Sequence, residues 1–347
     1  MKADAWQHLA SAPALAREPQ PPPPRAVPHN TPLHFVINGA AGNQNDAELL
    51  STLAQMLGGA GRPFELHRAR VPSDLVATAH SATRAAGAQG VVVAVGGDGT
   101  INTVAGAVMH SGATLGLLPR GTFNYFARAH GIALDTPGAL QLLMTGRAHA
   151  VQAGRINDRL FLVNASLGLY PGLLEDREAF KQRYGRTRLV ALWSGLMSLL
   201  REHRRLALRI EADDGAAREV KVSTLFVGNN RLQFEALGLP EAERTGHGAL
   251  AALALRAFKP GELLWLALRG AMGPLGRVGE ADDLSHFAFR RLSVRPRLPL
   301  PQRRVKVALD GEVTRLTAPL EFAVHERPLW LIKPEPLAGE DSSEAAA

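Results

Sequence analysis

Five consecutive apolar residues (VVVAV, 91–95) run directly into Gly96, Gly97, Asp98 and Gly99, and a helical pattern begins at once behind them. No other stretch constrains the fold as strongly. An unbroken apolar run of this length reads as a strand covered on both faces. Ile101, Val104, Ala105, Val108 and Met109 then follow the i, i+3, i+4, i+7, i+8 spacing of a helix with one buried side. Asp-Gly is often a hairpin turn, but a hairpin returns as a strand and this segment continues as a helix. Glycines at such a junction let backbone N–H groups approach a ligand without Cβ interference. The helix start adds unpaired donors and a partial positive charge. The junction therefore reads as a phosphate cradle at the carboxyl end of a strand. Asp98 alone would oppose an anion; it makes sense if Mg²⁺, which prefers carboxylate and water oxygens, accompanies the phosphates. The segment is not a Walker A loop, and Asn102 stands where a dinucleotide fingerprint needs its third glycine.

The surrounding chain repeats this rhythm. Residues 34–37, 64–66 and 114–118 read as strands, and 48–57 and 73–86 as helices. A second strand–loop–helix follows at 115–128, where Gly121 and Thr122 offer a backbone donor and a hydroxyl, and Arg120 a cation for phosphate. Residues 32–148 are therefore expected to form an α/β nucleotide-binding domain: a parallel sheet with helices on both faces. From about residue 150 strands dominate, at 159–165, 206–212, 220–227, 249–257, 286–294 and 305–309. Turn signals lie between them at Asp213-Asp214-Gly215, Asn229-Asn230 and Asp310-Gly311. Helical stretches interrupt at 175–205 and 261–272. A mostly antiparallel β-sandwich over 149–319 is expected, with 320–334 returning to the first domain. The proline-rich leader 1–31 and residues 335–347 read as disordered tails.

Composition narrows the chemistry. Cysteine is absent, which removes disulfides, cysteine metal sites and a thiol nucleophile. Lys+Arg 39 against Asp+Glu 32 gives +7, which permits a nucleotide, nucleic acid or acidic lipid surface without choosing among them. Aromatics at 5%, without basic–aromatic interleaving, argue against a nucleic-acid stacking platform. The histidines show no HExxH and no metal-ligand spacing, so they read as scattered core or surface residues. Asn164-Ala165-Ser166-Leu167-Gly168 lacks the first glycine of a nucleophile elbow and reads as a core turn. The longest apolar run, 189–200, is broken by Ser194, Gly195 and Ser198 and falls short of the roughly 18–20 residues of a bilayer span. The first residues lack a signal-peptide pattern. A soluble cytoplasmic protein is expected, touching the inner membrane surface at most peripherally. Arg201, Arg204, Arg205 and Arg209 follow the apolar run, either resting on anionic lipid or ending a core-packed helix in solvent.

Taken in order, Asn38-x-x-x-Gly42, GGDGTIN (96–102), LPRGTFN (118–124) and the late DGE (310–312) resemble the diacylglycerol kinase catalytic family, which includes bacterial lipid kinases and the sphingosine and ceramide kinases. The stretches at 161–178 and 226–231 resemble a bacterial branch of it. The likeness covers roughly residues 33–334. It implies an N-terminal nucleotide domain, a C-terminal β-sandwich, an ATP site in the cleft between them, and transfer of the γ-phosphoryl group to a lipid hydroxyl. Carried onto this sequence, it implies that Asn38, Gly42, Gly96, Gly97, Asp98, Gly99, Thr100, Ile101, Asn102, Gly121, Thr122 and Asn124 hold ATP, that Asp98 lies near Mg²⁺, and that Glu312 is the general base. A carboxylate suits that role because an attacking hydroxyl must be oriented and relieved of its proton.

The sequence departs from the family at three places. Tyr125 follows the second loop where an Asp is usual, and Gln152 stands where an Asp usually opens the next domain. RTGHG (244–248) lacks the acidic pair that relatives use for a second, structural metal. Two further readings therefore accompany the lipid kinase: a kinase of a soluble acceptor such as NAD, since GGDGT is shared with NAD kinases, and a non-catalytic nucleotide- or lipid-binding pseudokinase.

Overall fold

The computed structural model describes residues 21–39, 44–168, 206–213, 215, 217–230, 234–235, 248–256, 284–297 and 304–335, with backbone only at 44–46, 256 and 284. The expected helices at 175–205 and 261–272, the apolar run with Arg201, Arg204 and Arg205, Gly42, and residues 244–247 lie outside the described residues. The chain divides into two units, Gln20–Val151 with the residues from Arg327 on, and Gln152–Glu326.

In the first unit, β1 (Leu33–Asn38), β2 (Phe64–Ala69), β3 (Val91–Gly96) and β4 (Thr114–Pro119) are parallel neighbours in the order β2-β1-β3-β4. Side chains alternate between the faces of a strand, and both faces are covered. On one face, Leu33, Phe35 and Ile37 of β1 and Val91, Val93 and Val95 of β3 form a core with α1 (Gln44–Gly59), which contributes Leu49, Leu53 and Leu57 at i, i+4, i+8. On the other, α2 (Leu75–Ala86) and α3 (Asp98–Val108) pack against each other and against β1 and β3. The helix expected from residue 73 begins at Leu75, after a 3-10 turn over Pro72–Asp74. Beyond β4 come α4 (Tyr125–Ala129) and α5 (Thr136–Thr145), the latter capped by Asp135, whose Oδ1 accepts from the Gly138 N–H at 2.7 Å. β5 (Arg147–Val151) ends this part of the chain.

The proline-rich leader is not a free tail over residues 21–31. Arg25 exchanges both backbone hydrogen bonds with Ala148 of β5. Its guanidinium lies 3.4 Å from the centre of the Trp330 ring. Arg147 and Arg62 donate to the carbonyls of Pro24 and Pro28. Extended, proline-rich backbone cannot continue as a helix, but it can lie along a sheet edge.

The second unit is antiparallel throughout its described strands: β6 (Gly154–Ile156), β7 (Arg159–Phe161), β8 (Asn164–Gly168), β9 (Leu206–Glu211), β10 (Ala217–Gly228), β11 (Leu250–Arg256), β12 (Leu284–Phe289), β13 (Arg291–Pro296), β14 (Arg304–Leu309), β15 (Glu312–Thr317) and β16 (Leu320–Val324). The hydrogen bonding is continuous, because the long strand β10, irregular between Val222 and Thr224, pairs with β8, β9 and β11. The strands share one apolar core that includes Phe161, Phe287, Phe289 and Phe322. Two runs that read as single strands are broken. Residues 159–165 split into β7 and β8, and 286–294 into β12 and β13. At each corner an aspartate takes consecutive backbone N–H groups: Asp213 accepts from Arg290 and Arg291 at 2.7 and 2.8 Å, and Asp310 serves 162–164. Leu320–Val324 stays in this unit, paired with β13 and β6. The chain returns to the first sheet through β17 (Leu329–Lys333), which inserts between β4 and β5. Among the described residues no helix is long and apolar enough to cross a membrane.

Candidate functional site

The loops following β3 and β4 meet glycine to glycine. A Cβ on Gly121 would lie 2.6 Å from the Gly97 Cα, and a Cβ on Gly97 would lie 3.1 Å from the Gly121 Cα. The Arg120 N–H also donates to the Gly96 carbonyl at 2.9 Å. A Cβ on Gly96 would collide with the Thr100 side chain, at 2.6 Å from its hydroxyl oxygen. These glycines therefore permit close approach of loop to loop and loop to helix. Thr100 is buried, and its hydroxyl receives Asn38 Nδ2 from the end of β1 at 3.4 Å. Three neighbouring strand ends, β1, β3 and β4, thus share one constellation.

Gly97 is the N-cap of α3 and has no side chain with which to cap it. The first intrahelical bond runs from the Ile101 N–H to the Gly97 carbonyl. The first-turn donors at Asp98, Gly99 and Thr100 therefore receive no side-chain cap, the condition an anion at a helix start requires. Asp98 turns to the other loop. Its two oxygens accept the Tyr125 N–H at 3.3 Å and the Phe126 N–H at 3.2 Å, so it caps α4. Each carboxylate oxygen has a further lone pair, which leaves room for a cation beside these bonds.

Asn124 is buried with φ 51, and its amide closes its own loop: Oδ1 accepts the Gly121 N–H and Nδ2 donates to the Gly121 carbonyl, both at 2.9 Å. Gly121 therefore spends its N–H on the loop, and Asn124 shapes that loop from within. Thr122 is exposed. The residue in the usual Asp position, Tyr125, offers no carboxylate; its exposed ring stacks on Phe123 at 5.4 Å with planes 5° apart. Behind it, the Phe126 ring meets His130 edge-on at 4.6 Å. His130 keeps part of its surface accessible, yet packing around the ring, then the charge of Lys333, pushes its pKa down to about 3. It is neutral at ordinary pH.

Gly121→Ala should cost about 1–3 kcal/mol, because backbone must move to accept the new Cβ. Gly106→Ala, on the exposed side of α3 with nothing within 4 Å, should gain about 0.5–1 kcal/mol. Denaturant midpoints of the two variants measure the contrast. Equal midpoints would refute the loop-to-loop contact.

In the second unit, Gln152 is a structural link. Its Oε1 accepts the Gly248 N–H at 2.6 Å, while Nε2 donates to Asn229 Oδ1 at 2.7 Å and to the Ala249 carbonyl at 2.9 Å. The backbone partners fix which way the amide points. Asn229 in turn donates to the Leu162 and Gln152 carbonyls. A carboxylate at position 152 could keep only the Gly248 bond. Gln152→Glu should therefore destabilise by about 1–3 kcal/mol, read as a lowered unfolding midpoint near neutral pH.

The DGE triplet forms a two-residue hairpin turn between β14 and β15. Asp310 and Gly311 have φ 47 and 90, and Leu309 faces Glu312 in register. Both turn residues need positive φ, which Asp-Gly supplies at least cost. The Asp310 carboxylate accepts from Leu162, Val163 and Asn164 N–H at 2.8, 2.8 and 2.9 Å, and so fastens the hairpin to the start of β8. Glu312, the next side chain, is exposed. The role of Asp310 as an anchor carried no sequence signal beyond a turn-forming Asp.

Residues 32–156 match the model of the diacylglycerol kinase catalytic domain. A protein of Cronobacter sakazakii named "Probable lipid kinase YegS-like" is 37% identical over 140 residues, which cover 39% of this chain and 44% of that protein. Its namesake in Klebsiella pneumoniae is 44% identical over 79 residues, 22% of this chain and 27% of that protein. The matched stretches thus span less than half the length of these relatives. The crystal structure of a diacylglycerol kinase from Bacillus anthracis superposes with a TM-score of 0.61 at 15% identity, covering 88% of this chain and 97% of that one. That likeness shows the fold: an N-terminal α/β unit with a mostly parallel sheet and a C-terminal antiparallel one. Residues 32–156, where the clasped glycine loops lie, are thus the part of the chain that is similar to the diacylglycerol kinase catalytic domain.

Proposed function

We propose that this protein is a lipid kinase that transfers the γ-phosphoryl group of ATP to a lipid hydroxyl. The observation that carries the reading is the pair of glycine loops at the carboxyl ends of β3 and β4, joined by Asp98, with Asn124 closing the second loop on itself, inside the family-matched segment. The uncapped first turn of α3 suits phosphate oxygens, with its N–H groups and dipole opposing their charge. The donor set also fits a hard cation: Asp98 would hold Mg²⁺, with phosphate oxygens and waters completing its shell. When bound, the ion neutralises charge on the transferring phosphoryl group. Glu312 would orient the acceptor hydroxyl and receive its proton, a task for which an exposed carboxylate is suited. The acceptor would be met at the membrane surface.

A second reading has its own observation. Tyr125 gives its side chain to an aromatic stack and Gln152 gives its amide to a structural link, so neither supplies the carboxylate usual in the family. A nucleotide-binding protein without transfer activity fits that pattern.

One experiment separates the readings. The purified chain is incubated with Mg²⁺, γ-labelled ATP and a total lipid extract, and the label is partitioned between organic and aqueous phases. Label in a lipid, identified by mass spectrometry, is the expected result. Label in a small aqueous product would point to a soluble acceptor. Tight ATP binding with no labelled product would favour the non-catalytic reading.

A further inference from the structure

At the edge of the first sheet, β2 lies parallel to β1 with His34 opposite Glu65 and Val36 opposite His67. Glu65 and His67 are two apart on one strand, so they face the same side as His34. Three donor atoms converge there: His34 Nδ1, His67 Nε2 and Glu65 Oε2. Their separations are 3.2 Å between the two imidazole nitrogens, 3.4 Å from His34 to Glu65, and 3.7 Å from His67 to Glu65.

We propose that these three side chains form a binding site for a zinc-like divalent transition-metal ion.

Without an ion the two imidazoles can share one N–H···N hydrogen bond at 3.2 Å, but direct pairing accounts poorly for the carboxylate. A charge-assisted N–H···O bond closes to about 2.7–2.9 Å, and both histidine–glutamate distances are well beyond that. A tetrahedral ion at about 2.0–2.1 Å from each ligand sets the ligand atoms about 3.4 Å apart. The three observed separations scatter around that value. The pattern also matches how open zinc sites are made, with three protein ligands from His and Glu and one position left to water. Strand pairing fixes the triangle, since each ligand is held by the register of a parallel ladder. Burial grades outward: the side chains of His34 and His67 are 4% and 17% exposed, and that of Glu65 is 60% exposed, which opens a route for an ion. The imidazole rings are inclined by 34° with centroids 5.4 Å apart, so they meet by their nitrogens rather than by their faces.

The donor chemistry selects the ion class. Two imidazoles and one carboxylate suit Zn²⁺, Co²⁺, Ni²⁺ or Cu²⁺, whereas Mg²⁺ and Ca²⁺ take oxygen ligands. The site is thus chemically distinct from any Mg²⁺ used with ATP. It lies near the amino end of β1, whereas Asn38 and the glycine loops lie at carboxyl ends of strands. Motif spacing could not reveal this cluster, because its members fall on separate strands and only the Glu65-x-His67 alternation is local.

The test uses the untagged full chain, stripped with a chelator and titrated with Co²⁺. One equivalent should bind with the intense visible absorption of tetrahedral cobalt, and Zn²⁺ should then bleach it. Zinc should also raise the unfolding midpoint. Glu65→Gln and His67→Asn should each weaken binding at least about tenfold, since even outer-shell changes cost 10–100-fold. Glu65 is exposed, so that variant stays folded and keeps the test decisive if His67→Asn does not. Absence of a stoichiometric tetrahedral spectrum, or binding in Glu65→Gln as tight as in the parent, overturns the proposal. The readout does not depend on kinase activity.

Discussion

Glu312→Gln should lower phosphoryl transfer by about 10²–10⁴-fold, the usual contribution of a positioned general base. ATP affinity and the unfolding midpoint should stay near those of the parent. The separation follows from where the residue sits. Glu312 is exposed at the first position of β15, so its carboxylate adds little to the core, and the glycine loops proposed to hold phosphate belong to the other unit. An amide keeps the shape and hydrogen-bonding reach but cannot take a proton at neutral pH. Rates should be measured at saturating ATP, with binding measured independently by calorimetry. Parent-like turnover would remove Glu312 from the mechanism.

Two residues earlier, the same triplet should respond in the opposite way. Asp310→Ala should destabilise the protein by at least about 3 kcal/mol, because hydrogen bonds to a charged group contribute about 1.5–3 kcal/mol each and three N–H groups lose their acceptor. Alanine also tolerates the φ of 47 poorly. Asp310→Asn should cost less, since asparagine accepts the left-handed conformation and retains one acceptor oxygen. Denaturant unfolding of the three proteins should rank parent, Asn and Ala in that order. A midpoint for the Ala variant equal to the parent's would show that the hairpin does not depend on this anchor. In both variants turnover should follow the fraction folded, unlike Glu312→Gln, which should stay folded and slow.

The first unit was legible because its signals are local. The apolar run into Gly96, the 3.6-residue periodicity of α3 and the second glycine loop each lie within a dozen residues, and the parallel sheet follows from their repetition. The second unit was legible in class but not in detail. Residues 159–165 look like one strand because the break at 162–164 is made by a carboxylate 146–148 positions away. The corner at Arg290 depends likewise on Asp213, 77 positions back. Such long-range polar contacts leave no periodicity to read. The same holds for the glycines of the candidate site: the sequence reading that they make room for a ligand carried no sign that Gly97 and Gly121 also make room for each other. The proline-rich leader shows a different failure. Composition describes what a segment cannot form by itself, and says nothing of the Trp330 ring waiting to receive Arg25.

The route of the chain through the first sheet has a consequence for assembly. Val151 of β5 and Leu329 of β17 are direct antiparallel partners, so everything from 152 to 328 is topologically one overgrown hairpin loop. Closing a loop costs only about 0.6 kcal/mol more for each doubling of its length. A module of this size can therefore be nested there with little penalty, provided its own folding brings its two ends together. Until that happens β4 has an open edge, since β17 is the strand that covers it. Synthesis order makes this unavoidable: the strand that seals the first sheet leaves the ribosome after the whole nested module, and the early-made half must wait for it with an unpaired flank.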